Sequence, residues 1–371
     1  DNQTVLSGFP ATFSVTLPDV QGYTFVWKKD GSVLDGETES SLTIENTTTA
    51  DSGSYTLEIA FGQDTATAGP AQLIVPAVPT NSYAETILAD DPIAYWRMAD
   101  PDQSIVMDDQ QGGLDGEYFL EVDYELPGAL LGDTDTAAGF RGVLESKSEV
   151  YSNTELVTPE FSVELWAKRT GGAGSFTSPI TQRDLNNDTD PPYRKGWTLY
   201  ATDANTWQFR IGDGTDTWVV IDGPTVVDGE WTQMIGTYDG TSLAFYVNGA
   251  LVQSLEADYA PIDPAQLPPL LRVAGGSTED NDGGFFFIGS IDEVAVYGDA
   301  LTAEEVAAHW AAAFSPTIAP VIDQQPESAE VVEGWSATLS VLARSGTPLS
   351  YQWKKDGFDV PDGTSNILVL T

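Results

Sequence analysis

The sequence predicts an all-β protein of several domains, and three observations support that prediction. Its 371 residues are more than one ordinary core accommodates. Short stretches of alternating apolar and polar residues recur along the chain, separated by turns rich in its 35 glycines and 22 prolines. Long stretches of helical periodicity are nearly absent. A hydrophobic content of 41% supplies enough apolar surface for packed cores, which argues against a disordered chain.

The first segment, residues 1–76, is predicted to be a small β-sandwich. Its strands are expected in the stretches ATFSVTL, YTFVWKKDG, SSLTIEN, GSYTLEIAFG and AQLIVP. In TADSGSYTL, the residues Asp51, Gly53 and Tyr55 resemble the tyrosine-corner motif of immunoglobulin-like domains. The resemblance implies an immunoglobulin-like sandwich.

The core positions of this segment extend the resemblance. Trp27 matches the core tryptophan of immunoglobulin-like domains. Val15 and Leu57 stand where such domains usually carry their disulfide, and the chain has no cysteine. The segment therefore resembles the cysteine-free immunoglobulin-like domains of bacteria.

The same pattern returns in the last segment, residues 318–371. The two copies align without a gap at a separation of 326 residues (353 − 27), pairing Gly8 with Gly334, Ala11 with Ala337, Trp27 with Trp353, Gly31 with Gly357 and Leu42 with Leu368. The first copy lacks a counterpart of IAPVIDQQPE, and hence its first strand. The second ends before a counterpart of DSGSYTLEI, and hence before its last two strands. The sequence is expected to be an excerpt of a longer array, with completion by strands of another chain as the alternative.

The middle segment, residues 80–314, carries motifs of a different domain. These are SYAETILADDPIAYWRM, LPGALLGDTDTAAGF, FSVELWAKR, GEWTQMIGTYDGTSLAFYVNGALV and FIGSIDEVAVYGDALTAEEV. Together they resemble the laminin-G-like, concanavalin A-type jelly roll of bacterial surface and secreted proteins. Locally, Asn248-Gly249 predicts a type I′ hairpin. Thr302 and Glu305 predict the capping box of one short helix.

Residues suited to catalysis are scarce in the sequence. A nucleophilic triad needs a base, and the single histidine, His309, lies on the predicted helix, where a packing or surface role is expected. Glycosidases need two acids facing one sugar, but Glu164 in FSVELWAKR stands alone, with Lys168 beyond it. Strand alternation predicts that Asp292 and Glu293 point to opposite faces. The sequence therefore predicts a protein that is not an enzyme.

Acidic loops make calcium the expected cofactor. The resemblance places Asp108 and Asp115, in MDDQQGGLDGEY, on the acidic and Asn/Asp positions of a family loop. It nominates Asp292 as their partner in binding a calcium ion. The sequence departs from the family at Gln110 and Gln111, where relatives often have Ser-Gly. The alternative is that these acids only accept hydrogen bonds from backbone amides at turns.

A second acidic loop resembles an EF-hand loop in part. Its positions 1, 3, 5 and 7 are taken by Asp184, Asn186, Asp188 and Asp190. Thr189 replaces the glycine at position 6, and Lys195 replaces the glutamate at position 12. The run around residues 280–282 is expected to be a solvated hairpin tip or a contact near the ion.

The net charge of the chain and the positions of its tryptophans limit the classes of partner that it can bind. With 15 basic and 57 acidic residues the net charge is −42, which disfavours nucleic acid, and no apolar run is long enough to enter a membrane. Trp166 and Trp231 are expected in the core. Trp207 and Trp218 are the candidates for stacking on a sugar ring, although a core position is favoured for both.

These observations favour a non-catalytic module of adhesion or recognition on a bacterial cell surface or outside the cell. The jelly roll would bind a glycan or a surface protein with the help of calcium, and the immunoglobulin-like segments would act as spacers. The alternative is a structural subunit of an extracellular filament or surface layer, with other copies of the chain as partners. Recovery of a monomer that binds glycans would distinguish the first reading from the second.

Overall fold

The computed structural model describes residues 2–18, 22–76, 82–151, 154–186, 193–263, 271–276, 284–314, 320–326, 328–331, 335–345, 349–361 and 363–370. Strands dominate throughout, and the described residues contain two α-helices, of 7 and 10 residues. The all-β prediction is therefore confirmed. No helix within these ranges has the length and apolar character needed to cross a membrane.

The first segment folds as two facing sheets. Its strands are β1 Gln3–Thr4, β2 Ala11–Ser14, β3 Tyr23–Lys29, β4 Ser32–Val33, β5 Ser41–Ile44, β6 Gly53–Phe61 and β7 Asp64–Ile74, with a short 3₁₀ helix at Thr49–Asp51. One sheet has the order β1-β7-β6-β3-β4, and the other pairs β2 with β5. Strand β1 runs parallel to β7 at the edge of the first sheet.

The core of this segment is built around Trp27. Its side chain is buried with Leu57, and Val15 packs against the same cluster. The Trp27 indole donates a hydrogen bond to the Glu39 carbonyl at 2.9 Å. The Tyr55 hydroxyl donates to the Asp51 carbonyl at 2.8 Å. This hydrogen bond closes the corner that the sequence motif implied, while the family of the segment stays a prediction.

The middle segment contains two large sheets and two helices. Its elements are α1 Tyr83–Ala89, β8 Ala94–Trp96, β9 Val106–Met107, β10 Gly116–Tyr118, β11 Val122–Pro127, β12 Thr136–Arg141, β13 Ser148–Val150, a 3₁₀ helix Thr154–Leu156, β14 Phe161–Arg169, β15 Thr177–Asn186, β16 Tyr193–Ala201, β17 Thr206–Gly212, β18 Trp218–Thr225, β19 Thr232–Tyr238, β20 Ser242–Val247, β21 Ala250–Glu256, β22 Leu271–Val273, β23 Ile288–Tyr297 and α2 Ala303–Ala312. The front sheet has the order β18-β17-β16-β15-β22-β13-β10-β9. The back sheet has the order β11-β12-β23-β14-β19-β20-β21, with β8 paired to β23.

Three layers follow from strand alternation. The inward side chains of both sheets form one apolar core, which includes Trp197 of β16, Phe209 of β17 and Leu165 of β14. The outward side chains of the back sheet form a second core with the helices, in which Trp166 stacks on Trp310 at 5.4 Å between ring centroids. The outer face of the front sheet carries no helix in the described residues.

The turn and the helix cap predicted from short motifs in this segment are both present. Asn248 and Gly249 both have positive φ, +51° and +74°, as the predicted type I′ turn requires. Helix α2 starts with the predicted capping box between Thr302 and Glu305. Helix α1 was not predicted, although Ser82 and Glu85 form the same motif and give it the same start.

The prediction that Asp292 and Glu293 point to opposite faces is wrong. Glu293 has a φ of +52°, and the pairing of β14 with β23 shifts register between Glu164 and Trp166. Such a bulge adds one residue to β23, so both side chains turn outward, whereas the flanking Ile291 and Val294 both enter the inter-sheet core.

The last segment repeats part of the first. Its strands are β24 Val321–Gln324, β25 Ala337–Ser340, β26 Leu342–Arg344, β27 Lys354–Lys355, β28 Phe358–Asp359 and β29 Ile367–Leu370. The pair Ala337 and Leu370 repeats the pair Ala11 and Ile44 at the offset of 326 (370 − 44). The Trp353 indole donates to the Ser365 carbonyl at 2.7 Å. The repeat found in the sequence thus extends to strand register.

Candidate functional site

The single histidine lies beneath the two helices rather than in a cleft. His309 of α2 is fully buried, with Nδ1 at 2.7 Å from a Glu164 carboxylate oxygen and Nε2 at 2.7 Å from an Asp90 carboxylate oxygen. Glu164 is also fully buried and accepts hydrogen bonds from the Tyr83 hydroxyl at 2.6 Å and the Gln233 amide at 2.8 Å. These hydrogen bonds join both helices to strands β14 and β19 of the back sheet.

This network keeps the histidine charged. The neighbouring carboxylates of Glu164 and Asp90 raise the pKa of His309 to about 9, against the opposing effect of burial. A group enclosed on every side cannot reach a substrate, so His309 and Glu164 tie the helices to the sheet. The expected packing role of His309 agrees with this position.

A second buried cluster lies at the bulge of β23. One carboxylate oxygen each of Asp135, Asp292 and Glu293 lie within 4.8 Å of one another. Arg97 donates to Glu293 through Nη2 at 2.7 Å and lies 2.7 Å from Asp135. Asp133 adds a fourth carboxylate, at 2.9 Å from the same guanidinium.

Charge in this second cluster is unbalanced, since four carboxylates share one guanidinium. Burial and the nearby Glu293 raise the pKa of Asp292 well above its usual range. Burial also raises the pKa of Glu293, to about 8, although Arg97 opposes the shift. Asp292 is fully buried, and its Oδ1 has no hydrogen-bond partner, whereas its Oδ2 accepts from the Ala129 amide at 2.7 Å.

In the described residues, the predicted calcium ligands Asp108, Asp115 and Asp292 do not form a group of carboxylates within 4.8 Å of one another. Asp115 accepts a hydrogen bond from the Asp109 amide at 3.0 Å, and Asp108 accepts one from the Gln110 side chain at 2.9 Å. The neighbouring Asp109 is the buried acid of this loop and accepts from the Leu114 amide at 3.1 Å. Among the described residues, the group of Asp292 contains neither Asp108 nor Asp115. Sequence reasoning missed Asp135 and Glu293, which the bulge and the neighbouring loop supply.

The EF-hand-like loop lies largely outside the described residues. This holds for Asp188 and Asp190, for the side chains of Asp184 and Asn186, and for residues 280–282. These metal predictions stay predictions.

The outer face of the front sheet holds a cluster of arginines and aromatic rings. Because Trp207, Phe209 and Ile211 of β17 enter the core, Gln208 and Arg210 point outward. By the same alternation Tyr200 of β16 points outward, and β15 and β18 contribute Arg183 and Trp218. The register of adjacent strands brings these side chains together, with Tyr200 opposite Gln208 and Arg210 opposite Val220.

The arginines of this cluster lie on aromatic rings. The Arg210 guanidinium lies 4.6 Å from the centroid of Tyr200 and 5.3 Å from that of Phe176. The Arg183 guanidinium lies 5.3 Å from the centroid of Trp218 and donates to the Tyr200 hydroxyl at 2.6 Å. All of them except Tyr200 keep part of their surface exposed. We call Phe176, Arg183, Tyr200, Arg210 and Trp218 the front-face cluster.

The two tryptophans nominated for stacking on a sugar have different positions. Trp207 is buried in the core between the sheets, so it has no stacking role. Trp218 is half-buried and carries Arg183 and Arg194 on its ring. Sequence reasoning missed Arg210, although its alternation with three apolar residues in WQFRIG was a usable signal.

Farther along the front sheet, cations are paired with an acid. Glu149 of β13 accepts a hydrogen bond from Arg272 at 2.9 Å and also contacts Lys147 and Tyr151. Hydrogen bonds from Lys147 and Tyr151 hold the pKa of Glu149 below its usual range despite partial burial. In the front-face cluster, by contrast, the described hydrogen-bond partners of the arginines are neutral.

Comparison with known proteins agrees with the observed fold. Residues 144–307 match the family described as the concanavalin A-like lectin/glucanases superfamily. The chain therefore contains a concanavalin A-like jelly-roll domain, which confirms the resemblance stated for the middle segment. No curated protein matches the chain.

Several solved structures are similar to parts of the chain. The CBM40 of the Ruminococcus gnavus IT-sialidase, bound to α2,3-sialyllactose, is 17% identical with a TM-score of 0.38, covering 49% of this chain and 98% of its own. Domain 4 of AbnA, an extracellular arabinanase from Geobacillus stearothermophilus, in complex with arabinotriose, is 19% identical with a TM-score of 0.39, covering 59% and 97%. The Trypanosoma rangeli sialidase is 11% identical with a TM-score of 0.43, covering 70% and 43%.

Proposed function

We propose that the chain is a non-catalytic, extracellular recognition module whose jelly-roll domain binds a glycan on the outer face of its front sheet. The observation that carries this proposal is the front-face cluster, where partly exposed aromatic rings and side chains with hydrogen-bonding groups converge on a sheet face without a covering helix. Sugar rings offer apolar C–H faces together with hydroxyl groups. A site for them needs aromatic platforms beside fixed polar groups.

The cluster offers both kinds of contact. Trp218 and Phe176 supply partly exposed aromatic side chains. Arg183 and Arg210 supply several N–H donors, and the amide of Gln208 donates to Asp222 at 2.5 Å, which fixes a polar edge of the site. The strands beneath are paired along their length, so the platform is rigid.

Four acids of the middle segment do not suit glycoside hydrolysis, three because of their burial and one because of its lowered pKa. Glu164, Asp292 and Glu293 are fully buried on the back sheet, away from the front-face cluster. On the front sheet the pKa of Glu149 is lowered, which disfavours the protonated form that a general acid needs. These positions support a binding role rather than an enzymatic one.

The test is retention of glycans by the intact chain on a glycan array, followed by titration of the ligands found. Trp218→Ala should weaken binding about fivefold or more, since stacking on an aromatic side chain contributes about 1 kcal/mol or more. Trp335→Ala is the control, because Trp335 is 74% exposed in the last segment and its loss leaves the front sheet unchanged. Absence of any glycan binding, or equal loss in both variants, would refute the proposal.

We further propose that the cluster of Asp135, Asp292 and Glu293 binds calcium. Carboxylate oxygens are ligands that Ca²⁺ prefers, and Asp292 Oδ1 is a buried oxygen that lacks a partner. A bound calcium ion would supply the positive charge that lets these buried carboxylates ionise together. Arg97 already neutralises part of the cluster, so the residues fit one added cation rather than a site of several ions.

Thermal unfolding tests the calcium proposal. A ligand bound only by the folded state stabilises it by mass action, so calcium should raise the Tm of the middle segment relative to a chelator. Asp292→Asn should abolish that increase and Asp108→Asn should leave it, because Asp108 is not one of the three carboxylates that lie within 4.8 Å of one another. An unchanged melting curve for the unmodified chain would exclude the site.

Roles in adhesion, binding of a surface protein, spacer function and assembly into a filament or surface layer stay predictions. Light scattering of the intact chain distinguishes assembly into a filament or surface layer from the other roles. Ordered polymers would favour assembly, and a monomer that binds glycans would favour recognition.

A further inference from the structure

The front-face cluster concentrates positive charge in a strongly acidic chain. The chain has only 15 basic residues against 57 acidic ones, so most cations could have acidic partners. Lys147 and Arg272 on the same sheet do, because both contact Glu149. Within the described residues, Arg183 and Arg210 have no carboxylate at ion-pair distance.

The partners of these two arginines are neutral instead. Arg210 donates from Nε to the Gln208 amide oxygen at 2.7 Å and lies over two aromatic rings. Arg183 donates to Tyr200 and its buried Nε has no partner. A guanidinium has five N–H donors, so each arginine keeps donors for a further acceptor.

Positive charges in this cluster also repel one another. Burial lowers the pKa of Arg210, and Arg183 and Arg194 lower it further, while Tyr200 and Asp222 oppose the shift. Bringing like charges together on a half-buried sheet face is unfavourable, and the nearby Asp222 is hydrogen-bonded to Gln208 rather than to either guanidinium. The arrangement therefore favours an anion from outside the chain.

We propose that the glycan bound at the front-face cluster carries an anionic group, a carboxylate or a sulfate, held by Arg183 and Arg210 while its sugar ring stacks on Trp218 or Phe176. This inference rests on the proposed function and narrows its ligand class. The planar fork of a guanidinium matches two oxygens of a carboxylate or sulfate and forms paired hydrogen bonds. A neutral glycan would leave the two arginines without their charged partner.

Titration of the intact chain with three classes of saccharide tests this specificity. The probes are oligogalacturonates and sialyllactose for carboxylates, heparin oligosaccharides for sulfates, and arabino- and cello-oligosaccharides as neutral sugars. We expect at least tenfold tighter binding to one acidic class than to the neutral sugars. Whichever acidic class binds identifies the group.

Variants then locate the interaction. Arg210→Gln should weaken binding of the acidic ligand about ten- to hundredfold, the usual loss for a hydrogen bond to a charged group. Arg141→Gln is the matched control, since it removes the same charge from an exposed ion pair with Asp123 on the back sheet. If Arg210→Gln does not fold by circular dichroism, Arg183→Gln takes its place.

The outcomes separate this inference from the proposed function. Tight binding of neutral sugars that depends on Trp218 but not on the arginines would keep the proposed function and overturn the anionic ligand. Absence of binding to all three classes would overturn the anionic ligand, and absence of every glycan on the array would overturn both. Equal losses in Arg210→Gln and Arg141→Gln would trace the effect to net charge and would also overturn the inference.

Discussion

The buried histidine gives a quantitative prediction about pH. In the folded chain the pKa of His309 is about 9, whereas an unperturbed imidazole titrates near 6.5. A folded-state pKa raised above the unfolded value means that folding is favoured by protonation. The stabilisation is fully present below pH 6.5 and is lost as the pH rises through 9.

The magnitude follows from the same two values. The difference between about 9 and 6.5 corresponds to about 3 kcal/mol of stability lost between pH 6.5 and 9. Glu293 also stabilises the fold in its protonated form, because its pKa is raised to about 8. Its contribution to stability is lost at lower pH than that of His309, between about pH 4.5 and pH 8. The raised pKa of Asp292 acts in the same direction, so the part of the loss assigned to His309 is the difference between the unmodified chain and a variant without the imidazole.

Nuclear magnetic resonance measures this pKa directly, because the chain has one histidine and its imidazole Hε1 signal needs no assignment. Urea unfolding of the middle segment at pH 6 and pH 9.5 measures the linked change in stability. His309→Gln should reduce the loss of stability with rising pH above pH 8, because the titrating imidazole is removed. Glu164 keeps its hydrogen bonds to Tyr83 and Gln233 in this variant. An imidazole midpoint at or below 6.5 would refute the reasoning.

Three further substitutions test packing and local structure. Thr302→Ala should destabilise the middle segment by about 1 kcal/mol through loss of the helix cap, and Thr302→Ser should not, as judged by Tm. Gly236→Ala should cost about 1–3 kcal/mol in urea unfolding, because its Cβ would lie 2.4 Å from the Phe209 ring, whereas Gly298→Ala, with its nearest contact at 3.5 Å, is the control. Tyr55→Phe should destabilise the first segment by about 1 kcal/mol, since only the hydrogen bond to Asp51 is lost; an unchanged Tm would contradict that reasoning.

Features encoded over a few neighbouring residues could be predicted from the sequence. The turn at Asn248-Gly249 and the cap at Thr302 depend on local backbone preferences, and both are present. The ungapped repeat gave the equivalence of Trp27 and Trp353, whose indoles make corresponding hydrogen bonds. The jelly roll was recognised from several motifs in a fixed order.

Features that depend on strand register or on a bulge could not be predicted from the sequence. Simple alternation predicts that Asp292 and Glu293 point to opposite faces, but a single residue with φ of +52° turns both outward, where Glu293 meets Arg97. Similarly, Arg183 and Tyr200 are 17 residues apart in sequence and meet only because β15 and β16 pair in one register. No local pattern specifies which strands become neighbours.

The two sheets use the same alternation with opposite results. Each turns polar side chains away from the common core, but helices α1 and α2 cover the back sheet. There Glu164 obtains buried partners in Tyr83 and His309. On the front sheet, the partners of Arg183 and Arg210 in the described part of the chain are aromatic rings and neutral oxygens rather than acids. Helix cover gives the outward polar residues of the back sheet internal partners, whereas Arg183 and Arg210 on the uncovered front sheet keep donors for the anionic ligand proposed above.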